Sequence, residues 1–166
     1  MKSIKGVALS ILLLSGILFS AVYLSCTKDN CKTINCFNGG TCGGGVCSCP
    51  LGWGGDFCQT SVLSGNWGGK DACDSGKNYT LSIEIDPYAT DTTKFIVKTP
   101  HGYPTQVQGI RNGATTINIS QQICDTVLLS GTINLASINS MTFTYTITDT
   151  NAKAHVTQCS GSYTRQ

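Results

Sequence analysis

Six cysteines fall within 28 residues of this chain, from Cys31 to Cys58, in the spacing C-x4-C-x5-C-x4-C-x1-C-x8-C. Nothing else in the sequence limits the fold so sharply. The apolar residues of the stretch are Ile34, Phe37, Val46, Leu51, Trp53 and Phe57. So few cannot enclose a core, and a segment of this size needs covalent staples. Spacing alone leaves 15 pairings open. A structural zinc site is the rival use of clustered cysteines, but such sites favour C-x2–4-C knuckles. The central C-x1-C argues against zinc, and so does the export segment described next. Disulfides persist in oxidising compartments, so the chain is expected outside the cytoplasm.

The N-terminus supports export. Lys2 and Lys5 precede residues 6–25, which carry no charge. A positive start followed by an apolar run is the pattern of a secretion signal, expected over 1–25. The run is also long enough for an uncleaved membrane anchor. Val22-Tyr23-Leu24-Ser25-Cys26 resembles the lipobox of bacterial lipoproteins, with Tyr23 where that family usually has Leu. The resemblance implies lipidation of Cys26, a tether over 26–30, and attachment to the membrane at the cell surface, most simply as an outer-membrane lipoprotein.

Cys36-Phe37-Asn38-Gly39-Gly40-Thr41-Cys42 and Cys47-Ser48-Cys49-Pro50-Leu51-Gly52-Trp53-Gly54-Gly55-Asp56-Phe57-Cys58 together resemble the two halves of an epidermal-growth-factor-like (EGF-like) module. The resemblance covers residues 31–58 only. It implies the pairs Cys31–Cys42, Cys36–Cys47 and Cys49–Cys58, each worth about 3 kcal/mol on the chain-entropy model. Asn38-Gly39 is a strong turn dipeptide, because both residues tolerate positive φ. Calcium-binding modules of this family carry an acidic run before the first cysteine. Thr27-Lys28-Asp29-Asn30 offers one carboxylate, so no calcium or other metal is expected.

Residues 59–64 read as a linker, and 65–166 as a second domain. There Tyr79, Leu81, Ile83 and Ile85 alternate with polar residues, as do Met141, Phe143, Tyr145 and Ile147. Period-two alternation of this kind predicts half-buried antiparallel strands. Further strands are expected near 63–69, 93–99, 104–110, 114–120, 127–135 and 153–164, divided by Asp86-Pro87, Pro100-His101-Gly102, Asn112-Gly113 and Asn139-Ser140. The expected fold is all-β: a small disulfide-rich EGF-like module, then an antiparallel meander of about eight strands closed into a barrel, with a two-sheet sandwich as the alternative. Gly65-Asn66-Trp67 resembles the G-x-W of lipocalin-like barrels, which implies that Arg165 packs on Trp67. First and last strands are neighbours in a closed meander, so Cys73 is expected to pair with Cys159. Cys124 is left over, as a buried thiol or an intermolecular partner.

Lys2 and Lys5 removed, nine of the eleven Lys and Arg remain against nine Asp and Glu. A chain so nearly neutral, with no basic cluster, argues against nucleic acid as partner. No cofactor motif and no catalytic constellation is legible. His101 lies beside a turn and His155 in a strand, and neither has a carboxylate or nucleophile near it in sequence. Glu84 and Asp86, two apart on one strand, read as a solvated strand face. The expected function is therefore non-enzymatic binding or adhesion at the cell surface, with Trp53 and Phe57 as contact candidates and an unknown protein or glycan as partner. The alternative is a carrier that holds a small apolar ligand in a lipocalin-like barrel.

Overall fold

In a computed structural model, residues 30–150 and 155–166 are described. The expected signal segment, the expected lipidation at Cys26 and the expected tether up to residue 29 lie outside them.

The disulfide-rich segment is mostly loop. A 3-10 turn at Asn30–Thr33 leads to two short hairpin strands, β1 (Thr41–Gly43) and β2 (Val46–Ser48). Three disulfides hold it, Cys31–Cys42, Cys36–Cys47 and Cys49–Cys58. Asn38 and Gly39 take φ of 51° and 79°. The Asn38 amide then donates to the Cys58 carbonyl at 2.8 Å, which ties the turn to the last cysteine.

Residues 59–64, expected as a linker, carry a short strand of their own. After β3 (Trp53–Gly54) the chain doubles back as β4 (Thr60–Ser61) and pairs with it. Leu63 then enters the barrel and is fully buried. No alternation marks a strand pair of two residues, so the sequence carried no sign of it.

Eight antiparallel strands follow: β5 (Gly65–Cys73), β6 (Asn78–Tyr88), β7 (Asp91–Lys98), β8 (Gln106–Asn112), β9 (Thr116–Cys124), β10 (Val127–Ser137), β11 (Ser140–Asp149) and β12 (Val156–Arg165). Each pairs with the next, and β12 returns to β5, so the sheet closes into a barrel rather than a sandwich. Closure leaves no strand edge open to further pairing. The first strand runs to Cys73, beyond the expected end at residue 69. That extension carries Asp71 into the interior.

One contiguous core fills the barrel, from Leu63 and Trp67 through Ile83, Phe95, Ile117, Leu129, Ile133 and Phe143 to Cys124 and Cys159. Each large side chain so buried stabilises the fold by about 1.5–3 kcal/mol. Two inward glycines make room for larger neighbours. Gly161 faces Asp71 in the β12–β5 register, and a Cβ there would lie 1.8 Å from Asp71 Oδ1. A Cβ at Gly69 would meet the Tyr163 ring at 2.6 Å.

The barrel ends differ. At one end the Arg165 guanidinium stacks 4.4 Å from the Trp67 ring centroid. It donates to the carbonyls of Ser64 (2.9 Å), Val62 and Ile138. The disulfide-rich segment covers this end: the Arg111 guanidinium lies between Trp53 (4.4 Å) and Phe95 (5.1 Å). At the other end lie the β5–β6, β7–β8 and β9–β10 connections. There Cys73 and Cys159 are bonded across the seam between first and last strands.

Candidate functional site: the mouth of the barrel

Asp71 is the one buried charged residue among those described, 1% exposed on β5. Burying a carboxylate is costly unless hydrogen bonds replace its water. Two tyrosines supply them. Tyr163 on β12 donates to Oδ1 at 2.5 Å, and Tyr145 on β11 donates to Oδ2. Both rings are buried. Burial, reinforced by these bonds to Asp71, pushes both phenols far above the ordinary tyrosine value.

Tyr145 links this pair to the surface. Its hydroxyl lies 2.5 Å from His101 Nδ1. His101 sits in the β7–β8 connection, in a 3-10 turn at Pro100–Gly102. That backbone is strained: Thr99 and His101 both take left-handed φ, 51° and 52°. Non-glycine residues held this way cost about 1–3 kcal/mol each and concentrate at functional sites. Thr99 fixes the turn by donating to the Ser82 carbonyl at 2.9 Å. The imidazole packs edge-on to Tyr79 (centroids 4.5 Å apart) and Tyr145 (5.4 Å), and tilted against Tyr103 (5.6 Å). Burial holds the His101 pKa below its ordinary value; the Asp71 charge opposes this and is the smaller effect.

Tyr79, His101 and Tyr103 line a cleft of about 490 Å³ at the barrel mouth, with Lys77, Asp149 and His155 at its rim and Val127 and Ile147 inside. The size is that of a small-molecule site. Ligand atoms of Cys73, His101 and Cys159 lie within 4.8 Å of one another, the spacing of a metal site. The two sulfurs are bonded to each other, so the thiolates that would bind a metal are consumed.

The contact candidates and the carboxylate pair singled out from sequence lie elsewhere, whereas Cys73, Cys159, His101 and His155 come together at the mouth. Trp53 is half-buried under Arg111, at the far end of the barrel, and belongs to the packing between segment and barrel. Phe57 is 44% exposed and remains accessible. Glu84 and Asp86 lie on the outer face, where Lys98 bridges both. Cys124 is buried and unbonded to another sulfur, 3.0 Å from the Thr105 hydroxyl. The buried cluster of Asp71, Tyr145 and Tyr163 behind the mouth was missed. The available hint was an isolated aspartate two residues before a cysteine on an inward-alternating strand.

Fold and site together define a class: a disulfide-stapled segment packed on the covered end of a closed eight-stranded antiparallel barrel, with an aromatic cleft at the opposite mouth. Its disulfides belong to an oxidising compartment. No protein-family model matches the sequence, and no curated protein matches it. Among solved structures, the chain is similar to EF1p2_mFAP2b bound to DFHBI, with 14% identity over 63% of this chain and 94% of that one and a TM-score of 0.50. It also matches a de novo designed fluorescence-activating β-barrel at 21% identity, with 62% and 93% covered and a TM-score of 0.40. A protein of unknown function from Bacteroides ovatus matches at 10% identity, with 63% and 42% covered and a TM-score of 0.40. At these identities the likeness to the first is one of fold alone.

Proposed function

We propose that this protein is a non-enzymatic, membrane-anchored surface lipoprotein that binds a small ligand at the mouth of its barrel. The observation that carries the reading is the cleft: an aromatic recess of small-molecule size, floored by a histidine held on strained backbone. Residues 31–58 are read as an EGF-like module, supported by the three disulfides and the Asn38-Gly39 turn. Cys26 is read as the lipid-bearing residue. The module packs at the covered end, so an anchor that precedes it leaves the mouth accessible. Asp71, Tyr145 and Tyr163 satisfy one another's hydrogen bonds inside the wall, which suits a scaffold more than a reacting group.

Adhesion through the module is a second reading, favoured by the exposed Phe57 ring. In the carrier alternative the ligand also falls in the mouth, because side chains fill the barrel interior. Native mass spectrometry of protein purified without denaturation tests the main reading. A small-molecule adduct is expected in the wild type and is lost in Tyr103→Trp, which fills the cleft. An adduct unaffected by that substitution, or surface crosslinks that map to Phe57 alone, would move the function to the module. Mass analysis of the mature N-terminus tests the anchor: diacylglycerol on Cys26 supports it, and an intact Met1 removes it.

A further inference from the structure

A tyrosine hydroxyl has one proton to donate. Tyr145 gives its proton to Asp71, whose other oxygen is occupied by Tyr163. The short contact between Tyr145 and His101 Nδ1 must therefore run the other way, with Nδ1–H donating to the phenolic oxygen. The bond made at one ring nitrogen sets the state of the other. With the proton on Nδ1, Nε2 of the neutral ring keeps a lone pair. Among the described residues nothing donates to Nε2. The nearby Cys73–Cys159 disulfide has no proton to offer. Nε2 is thus the ring nitrogen left without a donor, on a side chain that lines the cleft and whose Nδ1 is tied to the barrel wall.

Resting on the reading of the mouth as the binding surface, we propose that His101 Nε2 is a fixed hydrogen-bond acceptor and selects neutral ligands that bear a hydroxyl or N–H donor beside a flat apolar face. Tyr79 and Tyr103 flank the imidazole and supply aromatic surface for that face. The Asp71 carboxylate behind Tyr145 disfavours an anion, and Lys77 and Asp149 at the rim favour neither sign. Phenol is the simplest molecule of this kind. Anisole has the same ring without the donor, and benzoate carries a charge. Tyr145 acts as a positioning residue, since it holds the tautomer without touching the ligand.

The test uses the oxidised protein at neutral pH, with imidazole 15N shifts and titrations of phenol, anisole and benzoate followed by amide shifts. The free protein is expected to show the Nδ1–H tautomer at His101. Phenol is expected to bind at the mouth about tenfold more tightly than anisole, the worth of one good hydrogen bond, with benzoate weaker still. Tyr145→Phe removes the acceptor for Nδ1–H and is expected to release the tautomer and bring the phenol preference below about twofold. His101→Gly keeps the positive φ and removes the acceptor, so phenol and anisole bind alike, which keeps the test decisive if Tyr145→Phe does not fold. An Nε2–H tautomer in the wild type, or equal binding of phenol and anisole at the mouth, overturns this inference alone. Failure of all three probes to shift the mouth residues overturns the inference and counts against the mouth as the binding surface too.

Discussion

The Asp71–Tyr145–Tyr163 cluster makes stability depend on alkaline pH. Both phenols have pKa values raised well above 10.0 in the fold. In the unfolded chain they ionise near pH 10. A raised folded pKa means that the native state binds more protons than the unfolded state above that point. Stability from these groups is therefore full below about pH 10 and falls as pH rises past it. Two such tyrosines together should lose about 2 kcal/mol between pH 10 and pH 11, read as a drop in the urea midpoint. Tyr163→Phe should lower stability at pH 8 by about 1.5–3 kcal/mol and halve the alkaline slope. An unchanged slope in that variant would show that Tyr163 is not held protonated by the fold. The joining of these three residues, and their link to His101, was not legible from local sequence. His101 lies 30 residues from Asp71 and 44 from Tyr145, and only barrel closure brings them together.

At the level of elements, the alternation along β6 and β11 was readable because one face of each strand meets a core and the other meets water. The adjacency of first and last strands followed from closure, and Cys73 and Cys159 sit opposite each other in that register. The inward glycines were not readable, since a residue without a side chain leaves no mark on a hydrophobic pattern. Gly161→Ala tests their role. Its Cβ would collide with Asp71 Oδ1, which is held by Tyr163 and cannot give way without breaking that bond. A loss of about 3 kcal/mol or more is expected by urea unfolding, against less than about 0.5 kcal/mol for Ser160→Ala on the exposed face of the same strand. Comparable losses would mean that the interior adapts. The seam disulfide closes a loop with a sequence separation of 86, so Cys73→Ala with Cys159→Ala should cost about 4–5 kcal/mol on the chain-entropy model, more than any one of the three N-terminal bridges. A smaller loss than from removing Cys31–Cys42 would show that hydrogen bonding across the seam already confines the ends.

For the whole molecule, the decisive contact is the one between the two parts. A disulfide-stapled module on a flexible linker would turn independently of the barrel. Here the hairpin of β3 and β4, the Val62 amide donating to the Gly52 carbonyl at 3.1 Å, and buried Leu63 join them instead. Arg111 completes the junction. It reaches from β8 to stack on Trp53 and Phe95, and donates to the Ala114 carbonyl at 3.0 Å and to the Ser61 hydroxyl. Gly52 packs so closely that a Cβ would lie 2.2 Å from the Ala114 carbonyl oxygen. Module and barrel are therefore expected to tumble as one body, with a single rotational correlation time from 15N relaxation. Arg111→Ala removes the stack and both hydrogen bonds, worth about 2–4 kcal/mol together, while the module keeps its own disulfides. The variant should show two correlation times and faster proteolysis within residues 59–64. One shared correlation time in Arg111→Ala would mean that the β3–β4 pair and Leu63 suffice. Two in the wild type would mean that the module is a loose tether, and the orientation of the mouth away from it would lose its physical basis.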